Sequence, residues 1–180
     1  MSNCKEERSM DKFFETLKRF SKDESPASKY RNWFLNNGKY FDVVNESLSI
    51  QLAEKMNCEV KMCYNNCAKA IMFDHQNQYK FIEGYVEVCG VPIEHAWIVK
   101  TYDDLKLPEI VIDITLGISN EKRNKLANER GMTYEETEPR KFGNEYFGIE
   151  LPKDYLMKYI FKHDGKIPTL FDYFDEVENK

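Results

Sequence analysis

The sequence has no apolar run approaching the ~20 residues that a membrane-spanning helix requires, and its start, MSNCKEERSMDK, is charged where a secretory signal would be apolar. It has no surplus of basic residues: 26 Lys and Arg stand against 31 Asp and Glu, a formal net charge of −5. Holding a phosphate backbone regardless of base sequence would need a very uneven charge distribution. No basic run supplies one. The densest cluster, EKRNKLANER from Glu121 to Arg130, also carries acids and reads as an exposed helix or loop face. A cysteine framework is missing too: Cys4, Cys58, Cys63, Cys67 and Cys89 are odd in number and irregular in spacing, so they read as thiols. No internal repeat or low-complexity tract is present. These absences argue against a membrane protein, a nucleic-acid binder and a disulfide scaffold, and the expected compartment is the cytoplasm.

What is present suits one folded domain. The 180 residues are 42% hydrophobic, 14% aromatic and 32% charged, enough for a buried core and a solvated surface. Residues 1–56 read as a helical part, with Phe13, Phe14, Leu17 and Phe20 at helical spacing before the break at SKDESPAS. Between Lys29 and Leu52 the aromatics follow a mixed period, and NNGK marks a turn. Residues 57–117 read as the core. In CYNNCAKAIMFD, residues Tyr64, Cys67, Ala68 and Ile71 fall at i, i+3, i+4 and i+7, the buried stripe of a helix that opens at Cys63. FIEGYVEVCG, VPIEHAWIVK and EIVIDITLG then read as consecutive antiparallel strands. Residues 118–180 read as a variable segment, a flexible excursion or lid reaching Gly143, followed by a last helix begun near Pro152 and Asp154. The expected class is α+β, a central helix packed on an antiparallel sheet.

Chemistry enters through the order of three residues. A thiol at a helix N-terminus feels the positive end of the dipole, which favours the reactive thiolate. An imidazole on a following strand, His95, can exchange a proton with it, and a carboxylate on the next strand, Asp113, can orient that imidazole. A lone histidine in an apolar run is ordinarily core filler with backbone partners, so His95 has weight only through the other two. Cys58 lies before the helix in a charged stretch and Cys67 a full turn inside it, where the dipole effect has faded. Cys63 is therefore the favoured nucleophile among the three.

FIEGYVEVCGVPIEHAWIV followed by IVIDITLG resembles the transglutaminase-like core of the papain-like cysteine hydrolase superfamily, in which a helix-opening Cys precedes a strand reading H-A-W and a strand reading D-P-T. The resemblance covers Asn57 to Gly117. It implies Cys63 as nucleophile, His95 as general base and acid, and Asp113 as orienting carboxylate. It also implies amide, peptide or isopeptide hydrolysis rather than cross-linking, since water is always available. Here DIT replaces DPT, and no glycine precedes Cys63. The backbone N–H of Cys63 would supply one oxyanion donor. A side-chain amide before the nucleophile would supply the other, with Asn57 matching that role and Gln51 competing. Trp97 reads first as a packing residue and Glu83 as a strand-end charge. His75 and His163 read as solvated.

The implied partner is a protein or peptide substrate, with no nucleic acid, membrane, metal or organic cofactor. Two other readings use the same residues: a binding module on the same fold, and a zinc site drawing on Cys58, Cys63, Cys67 and His75. The spacings of the zinc set lack paired C-x-x-C knuckles. The cysteine-enzyme reading predicts that the purified protein carries no stoichiometric zinc by elemental analysis; one zinc per chain would favour the metal set.

Overall fold

The computed structural model describes residues 8–102, 108–131 and 145–178. Helices α1 (Ser9–Arg19) and α2 (Pro26–Asn37) lead into two short strands, β1 (Lys39–Phe41) and β2 (Val43–Val44). Helices α3 (Glu46–Lys55) and α4 (Cys63–Met72) precede the long hairpin β3 (Tyr79–Val88) and β4 (Val91–Lys100), then β5 (Ile110–Ile112) and α5 (Ile114–Glu129). Strand β6 (Glu145–Leu151) and helices α6 (Lys153–Lys162) and α7 (Leu170–Glu178) complete the chain. The class is α+β. None of the described helices is long and apolar enough to cross a membrane.

The six strands form one sheet in the order β1-β6-β3-β4-β5-β2, antiparallel except for the parallel β2–β5 pair. That order has a strong geometric consequence. The two edge strands, β1 and β2, are separated in sequence by Asp42 alone. A flat sheet would hold them about 24 Å apart, five spacings of ~4.8 Å, whereas two residues span at most about 7 Å. The sheet is therefore rolled into a barrel closed by residues 39–44. The Lys39 ammonium of β1 bonds the Glu109 carboxylate just before β5, across the two sheet edges.

The alternation of side chains sorts the core into two compartments. Phe41, Ile82, Val86, Trp97, Val99, Val111 and Tyr146, contributed by five strands, fill the barrel interior. The outer face carries the larger core, where Phe81, Ala96, Ile98, Phe147 and Leu151 meet Met10 and Phe14 of α1, Phe34 of α2, Cys67 and Ile71 of α4, and Leu156 of α6. The expected stripe of α4 is the one buried: Cys67, Ala68 and Ile71 face this core, with Tyr64 partly buried at its edge. In α1 the stripe is Met10 and Phe14, while Phe20 lies beyond the helix and is exposed.

Four expectations are corrected. Residues 1–56 are helical only in part, because β1 and β2 within them are strands of the sheet. The third predicted strand is only three residues long, and Asp113 sits at its junction with α5, not within a strand. Half of the supposed excursion after Gly117 is helix, since α5 runs to Glu129, and residues 132–144 lie outside the described residues. The helix begun at Pro152 is not the last, as α7 follows it, and EYFGIEL before it is a central strand.

Gly117 lies where α5 crosses α3, so close that a Cβ there would meet the Ser49 carbonyl at 2.9 Å. At Gly84 the contact is tighter: a Cβ would lie 2.1 Å from the Phe147 oxygen and 2.5 Å from the Gly148 Cα. Backbone cannot yield there as a flexible side chain does. Gly84→Ala should therefore cost about 3 kcal/mol or more, read from the urea midpoint at unchanged slope; a loss under about 1 kcal/mol would show that β3 and β6 separate easily.

Candidate active site

The site forms where β5 stops short. The β4–β5 ladder runs from Lys100–Ile110 to Ile98–Ile112 and goes no further, so β4 has no strand partner on that side at Ala96. After Ile112 the chain turns into α5, and Asp113 caps that helix by accepting from the Leu116 N–H at 3.0 Å. Helix α4 brings its first residue, Cys63, to this opening. The backbone N–H of Ala96, left over from the ladder, donates to the Cys63 sulfur, as does the N–H of Tyr64.

Three segments thus converge. His95 Nε2 lies 3.0 and 2.9 Å from the two carboxylate oxygens of Asp113, while the imidazole also hydrogen-bonds the Cys63 sulfur. With Nε2 on the carboxylate, Nδ1 is the ring nitrogen left for sulfur. The imidazole stacks beside the Trp97 indole, centroids 6.4 Å apart at 22°. Opposite His95 on β3 and β6 stand Gly84 and Gly148, and a Cβ on Gly148 would lie 2.8 Å from the indole. Gly148 makes room for the Trp97 ring beside the imidazole, and Gly84 lets the β6 backbone come close.

Asp113 has no exposed surface, and its charge is met by hydrogen bonds. The Tyr146 hydroxyl donates to its second oxygen at 3.0 Å across the barrel interior. Its backbone N–H donates to Ser49 Oγ at 2.9 Å, and that hydroxyl donates to the Asn45 carbonyl. The start of α4 is fixed separately. Asn66, buried beneath the first turn, accepts from the Glu59 N–H and donates to the Glu59 carbonyl and to Thr115 Oγ1. Thr115 is the threonine of the D-x-T motif, so one short motif orients the imidazole and holds the start of α4.

The electrostatics separate the cysteines. Burial pushes the Cys63 thiol up, but the His95 hydrogen bond, the imidazole's charge and the amides of Ala96 and Tyr64 outweigh it, and the net shift is downward. For His95 burial acts downward, and the Asp113 charge and hydrogen bond, with the sulfur's help, carry it above its ordinary value. Burial raises Cys58 and, more strongly, Cys67. These directions favour a thiolate–imidazolium pair at Cys63 alone among the three.

Comparison of the chain with protein-family models, with curated proteins and with solved structures finds no match. The geometry therefore stands on its own.

Asn57 does not join this network. It is exposed in the α3–α4 connection in a left-handed conformation (φ 49°), with its backbone N–H on the Glu54 carbonyl. Gln51 is exposed on α3, where its amide donates to Ser47 Oγ. The first turn of α4 offers backbone donors instead, since Met62 at its N-cap supplies no side-chain bond and the leading amides of a helix have no partner within it. Among the described residues no three of His, Cys, Asp and Glu gather as metal ligands. Cys67 faces the core, Cys63 faces His95, and His75 lies exposed past the end of α4. His163 is exposed, as expected, with its ring stacked on Tyr159. Cys89 is exposed at the β3–β4 turn, and Cys4 lies outside the described residues.

Sequence reasoning missed Tyr146, Asn66 and Ser49. Asn66 carried one usable signal: a polar residue three positions after Cys63, beside the apolar stripe. Tyr146→Phe keeps the ring and removes one donor from a buried carboxylate, so a loss of about 1.5–3 kcal/mol is expected. Urea unfolding checks it; a variant as stable as the parent would mean that the hydroxyl contributes nothing to holding Asp113.

Proposed function

We propose that the protein is a cysteine-dependent acyl-transfer enzyme with a Cys63–His95–Asp113 triad. Its core is of the transglutaminase-like, papain-like kind, and its reaction is hydrolysis of an amide, peptide or isopeptide bond in a protein or peptide substrate. One observation carries the reading. A sulfur paired with an imidazole, itself bonded to a fully buried carboxylate, comes together from a helix start, a strand and a strand–helix junction. A chain using these residues only as core filler has no need of that arrangement. The four described cysteines are free, which suits a thiol enzyme of the reducing cytoplasm.

In the proposed reaction the Cys63 thiolate attacks the carbonyl carbon and forms a C–S bond, and the carbonyl electrons move onto oxygen. Unpaired amides in the first turn of α4, that of Cys63 included, would stabilise this oxyanion. The His95 imidazolium then donates its proton to the leaving nitrogen as the C–N bond breaks. A thioester and neutral imidazole remain. Water, losing a proton to His95, attacks the thioester, and the C–S bond breaks to return the thiolate and release a carboxylic acid. Asp113 keeps its charge throughout, stabilising the imidazolium and fixing which ring nitrogen faces sulfur.

The working form needs Cys63 deprotonated and His95 protonated. Lowering the thiol and raising the imidazole to about 10 both widen the pH range over which that form is populated, extending it from the alkaline side toward neutrality. Alkylation of Cys63 by iodoacetamide, located by peptide mass mapping, should therefore be fast at neutral pH. In His95→Ala burial of the thiol is left unopposed, and the neutral-pH rate should fall at least about tenfold while the profile moves to higher pH. A Cys63 no faster than a free thiol in the parent, or unaffected in His95→Ala, would leave a binding module as the better description.

A further inference from the structure

Glu83 is a buried carboxylate that the proposed chemistry does not use. It lies in the middle of β3, opposite Ala96 of β4 and Ile149 of β6, on the barrel's outer face, and is only 3% exposed. It is not the strand-end charge that its place before a glycine suggests. One carboxylate oxygen accepts from the Tyr64 hydroxyl at 3.0 Å, the other from the Leu170 N–H at 2.6 Å. Tyr64 is the residue after Cys63, and its own amide is on the sulfur. Leu170 is the first residue of α7. Ala96, across the ladder from Glu83, supplies the other amide on that sulfur.

We propose that Glu83 is a positioning residue for the nucleophile: through the Tyr64 hydroxyl it fixes the first turn of α4, and through the Leu170 amide it ties that turn to the seating of α7. The inference rests on the cysteine-enzyme reading and adds a way for the C-terminal helix to govern the thiol.

Among the described residues the charge on Glu83 is met by hydrogen bonds and by no ion pair. Facing it are Tyr64 from α4, the Leu170 amide and Asp172 from α7, and Glu94 from β4, with Tyr30 of α2 and Tyr85 of β3 also in its field. Burial pushes its pKa up; the bonds from Leu170 and Tyr64 act downward, Glu94 and Asp172 upward, and the result is about 7. On protonation the Tyr64 hydroxyl can turn to accept while the Leu170 bond persists. Both contacts survive, but neither is charge-assisted, and such bonds are roughly half as strong. The anchor is thus firm above neutrality and looser below it. Glutamine reproduces the neutral form, its carboxamide donating to the Tyr64 oxygen and accepting from Leu170.

The test measures Cys63 alkylation by iodoacetamide from about pH 5 to 9 in the full-length parent, Glu83→Gln and Tyr64→Phe, with circular dichroism confirming that each is folded. The parent profile should carry an inflection near neutrality in addition to the thiol's own. Glu83→Gln should lose that inflection, and its Leu170 amide should exchange hydrogen faster. In both variants the thiol midpoint should move to higher pH, with the neutral-pH rate about fivefold lower, because a loosened first turn weakens the sulfur–imidazole pair. A hyper-reactive parent with superimposable profiles in both folded variants would overturn the role of Glu83 alone. A parent whose Cys63 behaves as an ordinary thiol overturns the enzyme reading, and the positioning role with it.

Discussion

A carboxylate taken fully out of water must be surrounded by donors, and the donors of Asp113 come from three elements. His95 reaches it from β4, Tyr146 from β6, and the Leu116 amide from α5. Its own backbone is held by Ser49 of α3. Leaving such a group buried and unmatched costs several kcal/mol, so the barrel must close and α3 and α5 must pack before Asp113 is accommodated. Once it is, the imidazole has one orientation, and the sulfur has a fixed partner.

The rolled sheet explains why the site lies where it does. In a closed barrel every inward position is buried, and a polar side chain there needs either an internal partner or a gap in the wall. His95 and Asp113 point inward beside Trp97 and have both. The gap comes from the brevity of β5, whose three residues pair with Ile98 to Lys100 and leave β4 uncovered on that side at Ala96 and before it. Helix α4 lies against the outer wall and presents its N-terminus to that gap. The Cys63 sulfur therefore belongs to the outer core and the His95 imidazole to the inner one, and they meet only at the break in the ladder.

Much of this was legible where periodicity was strong. The stripe of α4, the β3–β4 hairpin and the order of Cys63, His95 and Asp113 all follow from spacing and side-chain type. Other elements hid for identifiable reasons. In α5, Ile114, Leu116 and Ile118 cluster at the start and the run SNEKRNK that follows is polar, so the apolar run ITLGI after a strand outweighed the capping signal of Asp113. Strands β1 and β2 are too short to show alternation. Tyr146 and Glu83 could not be found from local pattern, because the partners that define them are 33 and 87 residues away. Asn57 satisfied a rule about sequence distance from the nucleophile, but its left-handed backbone leaves its side chain exposed.

The place of β6 in the sheet bears on the order in which the molecule matures. It is one of the last elements in the chain, yet it sits between β1 and β3 and supplies the tyrosine that grips Asp113. A nascent chain emerging from the ribosome as far as Gly117 already contains the sulfur, the imidazole and the acid, but the barrel wall still lacks a central stave. Assembly waits on non-local pairing, which is slow. Possession of the three side chains thus precedes their alignment, which waits on a strand made after all of them.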